Sequence, residues 1–95
     1  MIFVKEHIHN NRKLLAICDG NLIGKTFEEG DKALDVSKSF YQGEPMFEGD
    51  ILNLIEDNTL LNIVGEESIN FAVKNKLIEK DGIIKIKGIP HAMLL

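Results

Sequence analysis

The sequence predicts an α+β fold, an antiparallel sheet with two or three helices packed on one face as a two-layer sandwich. Three observations lead there. Strand-like apolar runs broken by turn dipeptides fill the first half, the apolar period shifts toward 3.6 after Pro45, and one last strand-like run returns near residue 83. Regular alternation of strands and helices is missing, which argues against a doubly wound parallel sheet.

The elements follow in order. Residues 2–8 are rich in strand formers, and Arg12 to Cys18 carries a second apolar run. Asn10-Asn11 between them tolerates the positive φ of a tight hairpin turn. After the Asp19-Gly20 turn, Leu22 to Phe27 reads as a third strand, and Leu34, Val36 and Phe40 as a fourth with alternating polar residues. Helices are expected next. One opens near Asp50 with Ile51, Leu54 and Ile55 on its apolar side, and a short one runs from Asn58 or Thr59 through Val64. The best-marked helix starts after Gly65, with Glu66 and Glu67 at its positive end, Lys74 and Lys76 at its negative end, and a stripe of Ile69, Ala72, Val73 and Leu77. Asp81-Gly82 then turns the chain into a strand over Ile83 to Lys87.

Ninety-five residues with 44% apolar and 27% charged composition make one domain, 1–95, able to build a packed core. Cys18 is the single cysteine, so no disulfide forms within the chain, and a reducing, cytoplasmic setting is expected. Charges interrupt the apolar run Met1 to Ile8 well before it could serve as a signal peptide or span a membrane. The net charge of −4 is unevenly placed: all 11 basic residues fall within 1–38 or 74–95. Between Ser39 and Val73, Glu44, Glu48, Asp50, Glu56, Asp57, Glu66 and Glu67 stand unopposed. This pattern predicts one acidic and one mildly basic surface, with solvated helix faces as the plainer explanation.

Each motif that could carry chemistry is incomplete. Gly24-Lys25-Thr26 matches the end of a phosphate-binding loop, but the first glycine of that motif is replaced by Asp19, whose carboxylate repels phosphate. His7 and His9 share a strand face, yet two ligands do not make a metal site, and no metal or other cofactor is expected. Cys18 with His91 could form a thiol–imidazole pair, although a cysteine closing an apolar run more often serves as a small buried hydrophobe. No catalytic residue is therefore assigned. Lys85 and Lys87, near Lys74, Lys76 and Lys80, offer the one surface suited to phosphates, without a pair of strand aromatics for stacking bases. The terminal stretch 89–95, from Ile89-Pro90-His91 to Leu95, is unusually apolar for a chain end. It is expected to fold over the sheet or to meet a second copy or another protein.

Cys18-Asp19, Leu22 through Gly30, Phe40-Tyr41-Gln42-Gly43-Glu44, Asn62 through Glu66 and Gly88-Ile89-Pro90-His91-Ala92, taken together, resemble a family of short archaeal proteins known as domain of unknown function four hundred twenty-four. The resemblance spans nearly the whole chain. It implies an archaeal, cytosolic origin and an α+β fold, and it carries no established activity that could assign residues.

The resulting expectation is a non-catalytic binding or adaptor protein, associated with a protein or ribonucleoprotein partner such as a translation-type machine and not with a membrane. Cys18, Asp19, Gly24, Lys25, Lys85, Lys87, Pro90 and His91 are its candidate contact residues. The alternatives are a small enzyme with a Cys/His pocket and a homodimeric small-molecule-binding protein joined through the C-terminal tail.

Overall fold

Two hairpins supply four of the six strands of the main sheet in the computed structural model, which describes Met1–Leu95. Strands β1 (Ile2–His9) and β2 (Arg12–Asp19) are joined by Asn10 and Asn11, at φ 52° and 62°. Two successive left-handed residues give the turn whose twist matches that of the flanking strands. The same device joins β7 (Ile84–Ile86) to β8 (Ile89–Leu94), with Lys87 at φ 55° and Gly88 at φ 78°. Between the hairpins lie β3 (Thr26–Glu29), β4 (Lys32–Asp35), α1 (Lys38–Tyr41), β5 (Glu44–Met46), α2 (Glu48–Leu54), β6 (Leu60–Val64) and α3 (Glu66–Lys74).

The main sheet has the order β5-β1-β2-β6-β8-β7, and β3-β4 form a separate two-stranded sheet. All pairings are antiparallel except β2 with β6, where Leu14 faces Leu60 and Cys18 faces Val64. The α+β class therefore holds with a mixed sheet. Helices on one face describe only α2 and α3, which bury Ile51, Ile69, Phe71 and Ala72 against Leu15, Ile17, Leu61 and Ile63. The intervening side chains Ala16, Cys18 and Val64 point the other way, into a second core with Leu34, Val36, Tyr41 and Ile86. The β3–β4 hairpin and α1 cover that face, so β2 and β6 are buried on both sides in the manner of central strands.

Three expected elements differ from those observed. Leu60–Val64 form a strand where a helix was expected, because Leu60-Leu61-Asn62-Ile63-Val64 is buried on both faces and lacks any period that would tell strand from helix. The expected strand from Leu22 to Phe27 is a 3₁₀ turn, Gly20–Leu22, followed by β3 from Thr26. The expected strand through Phe40 ends at Asp35, after which Ser37 Oγ accepts the Phe40 N–H at 3.3 Å and opens α1. The apolar tail is neither frayed nor merely laid across the sheet. It is β8, paired to β6 and β7 on its two sides.

Candidate functional site

The side chains with the most perturbed acid–base properties lie on the hairpin side of the sheet. Cys18, Val64 and His91 occupy one row across β2, β6 and β8. Val64 stands between the thiol and the imidazole, which puts them roughly 10 Å apart, two strand spacings. The Cys18 thiol is fully buried and donates to the Asp19 carbonyl at 3.3 Å. Burial, reinforced by the Asp19 charge, pushes its pKa up to about 12, so it stays protonated and a poor nucleophile. His91 Nε2 lies 3.1 Å from Asn62 Oδ1, which also accepts from the Tyr41 hydroxyl at 2.9 Å. Burial lowers the His91 pKa and favours the neutral ring. With Oδ1 as acceptor for both, Nε2 carries the proton of that ring. Burial, with the Cys18 charge as a smaller cause, raises Tyr41 to about 12. Tyr41 and Asn62 were not singled out from the sequence. One polar residue inside the apolar strand Leu60–Val64 was the available signal.

Asp19 turns to the opposite side of the sheet from Cys18. Its carboxylate accepts the backbone N–H groups of Glu67 at 3.0 Å and Ser68 at 2.8 Å, and the Ser68 hydroxyl at 2.7 Å. A residue from β2 thus caps α3, where the helix's own N-cap is Gly65, which lacks a side chain. Gly65 has φ 108°, and a Cβ there would collide with the Asp19 carboxylate, so only glycine fits.

Gly24 and Lys25 are exposed and laced to Val36: the Gly24 N–H donates to the Val36 carbonyl at 2.6 Å, and the Lys25 carbonyl accepts the Val36 N–H at 2.9 Å. A strand follows, so no helix N-terminus stands behind this loop to receive a phosphate. Lys85 and Lys87 do not share a strand face. Lys87 sits in the β7–β8 turn with its N–H donated to Glu29 Oε1 at 2.7 Å. Lys85 and Pro90 face each other across β7 and β8 and line a cleft of about 330 Å³ beside α3, with Glu66, Ile69, Val73 and Lys80 among its walls. Pro90 and His91, adjacent in sequence, face opposite sides of the sheet, as strand geometry requires.

A larger cleft, about 570 Å³, opens at the other end of the sheet between β5, α2, α3 and the first residues of β1. Ile2, Pro45 and Met46 contribute its apolar surface, and Glu48, Asp50 and Glu67 its carboxylates. The Met1 ammonium, 2.9 Å from Glu67, is the one cation in the lining, and Lys74 reaches Glu48 at 2.8 Å. Asp50 forms no ion pair. Phe47 is 84% exposed although its backbone is the fixed N-cap of α2, with its carbonyl accepting the N–H groups of Asp50 and Ile51. Part of the unopposed acidic run noted in the sequence thus converges on this cleft. Phe47 was not singled out, because its exposure depends on where β5 ends.

The fold and site define a small mixed-sheet α+β domain with an open, acid-rimmed apolar cleft at an edge strand. The family described as "Protein of unknown function (DUF424)" matches residues 6–95, and the chain belongs to it. A solved structure, an uncharacterized conserved protein from Methanopyrus kandleri, an archaeon, is similar over 98% of this chain and 89% of that one, with a TM-score of 0.78 and 24% identity. That likeness shows a shared fold. No protein with curated function matches. No helix is long and apolar enough to cross a membrane.

Proposed function

We propose that this protein is a non-catalytic binding or adaptor domain of the cytoplasm, and that its contact surface is the cleft bordered by Phe47. The observation that carries this reading is the 84% exposure of Phe47 at a position where a helix cap belongs. Ser, Thr, Asp or Asn at an N-cap stabilises a helix by about 1 kcal/mol relative to an apolar residue. Phenylalanine forgoes that, and at this exposure it recovers almost no burial energy in the isolated chain. A position that breaks a local rule without compensation within the fold is where function is expected. Supporting the non-catalytic reading, the groups whose acidity is most altered, Cys18, Tyr41 and His91, line neither cleft. The cytoplasmic setting is supported by a lone buried thiol, compatible with reducing surroundings.

The test is affinity capture from the native cell extract with wild-type protein and with Phe47→Ala, Ile84→Ala serving as an exposed apolar control on β7. A partner retained by wild type and the control but lost with Phe47→Ala is the expected result. Equal retention by all three removes the cleft from the contact surface.

A further inference from the structure

The contents of the Phe47 cleft also indicate what chemistry would fill it. This step rests on the binding-domain reading above and adds the class of partner. We infer that the cleft receives an arginine-bearing basic segment of a partner protein, docked through its side chains and not as an added strand.

Three features argue for that occupant. The lining carries three carboxylates, of which Glu67 pairs with the Met1 ammonium and Glu48 with Lys74. Asp50 is left without an ion-pair partner. Phe47, 84% exposed, lines the same cleft as Ile2, Pro45 and Met46, and the negative π face of its ring attracts a cation. A guanidinium fits both demands, since it stacks flat on an aromatic ring and offers paired donors to a carboxylate. An acidic partner would be repelled by Asp50, which has no cation beside it.

The mode of docking follows from Pro45. In the edge strand β5, Glu44 and Met46 lie opposite Val4 and Ile2 of β1, and the residue between them lies opposite Phe3. That residue is proline and has no N–H to donate. The edge therefore resists strand addition, which is how edge strands are commonly protected. Side-chain insertion remains the available route. Its charged component is open to solvent and weakens as salt is raised.

The test uses the full chain and a fluorescein-labelled peptide of alternating arginine and leucine, with a glutamate–leucine peptide of equal length for comparison. Affinity is read by fluorescence anisotropy, and the contact surface by amide shift changes in two-dimensional NMR. The expected result is saturable, salt-sensitive binding of the arginine peptide only, with shifts centred on residues 45–50 and 67. Phe47→Ala and Asp50→Asn, both at exposed positions and confirmed as folded by their spectra, should each weaken binding about tenfold. Binding unaffected by either variant, shifts centred elsewhere, or preference for the glutamate peptide overturns the inference. If the arginine peptide fails while the extract partner still depends on Phe47, the partner's chemical class is wrong and the binding surface stands. If the extract partner ignores Phe47 as well, both fall.

Discussion

Replacing Asp19 with alanine should be among the most damaging single changes in this protein, and the cost can be worked from its contacts. Asp19 is 7% exposed, and its carboxylate holds two α3 backbone N–H groups and the hydroxyl of the fully buried Ser68. Losing a cap costs about 1 kcal/mol, and a buried hydroxyl left without a partner about 1–3 kcal/mol more. Removing a negative charge from a helix N-terminus adds about 0.5–1 kcal/mol. These contributions overlap because they count the same bonds, so the expected loss is about 3 kcal/mol. That is a large share of the roughly 5–15 kcal/mol available to a domain. Ser68→Ala removes one bond without stranding a donor and should cost about 1 kcal/mol. Asp19→Asn keeps the shape but turns an amide NH₂ toward one of the donors, and should fall between them at about 2 kcal/mol. Urea unfolding followed by circular dichroism measures all three, with an unchanged m-value as the check that only stability moved. The double variant should cost less than the sum of the singles by about 1 kcal/mol. A loss below about 1 kcal/mol for Asp19→Ala, or full additivity in the double variant, would refute the assignment of Asp19 as the cap of α3.

Four further outcomes are expected. Cys18, fully buried and raised to about 12, should react with a thiol reagent at pH 8 only through opening of the fold, about a thousandfold or more slower than in denaturant; rapid labelling of the native protein would contradict this. In the alkaline range the unfolded chain releases protons from Cys18 and Tyr41 near 9 and 10, whereas the folded chain holds both until about 12, so stability should decline as pH rises through that window, as thermal unfolding at stepped pH would record. His91 has the opposite sense: its folded pKa lies below 6.5, so unfolding takes up a proton as pH falls through that region, stability drops, and His91→Gln should flatten the slope. Lys76 holds φ 59° just beyond α3 while the Leu77 N–H donates to the Ala72 carbonyl, a closing geometry that favours glycine, and Lys76→Gly should raise stability by about 1 kcal/mol in the same urea assay.

The elements legible in the sequence were those whose signals are local. Asn10-Asn11 specifies its turn through two positive φ angles, and α3 carries both a one-sided apolar stripe and charges matched to its dipole. β6 was illegible for a physical reason: buried on both faces, it has no alternation, and its strand identity comes from lying between β2 and β8. The second core was hidden for the same reason, since only tertiary structure shows that Ala16 and Cys18 are covered by the β3–β4 hairpin and α1. Asp19 looked like a turn residue or a spoiled phosphate loop, because the helix it caps lies 48 residues away. Among the contact residues expected from sequence, Lys85 and Pro90 share a cleft, while Cys18 and His91 are kept apart by Val64. The acidic surface was legible as a run of unopposed charges. Its apolar centre was not, because a phenylalanine's exposure is a property of packing.

The most direct test of the Phe47 surface is site-specific photocrosslinking, with a benzophenone amino acid replacing Phe47 in the full chain inside living cells. A discrete adduct from position 47, absent when the same group replaces Ile84, is the predicted result and would identify the partner. No adduct at 47, or the same adduct from both positions, would contradict a binding surface centred on this cleft.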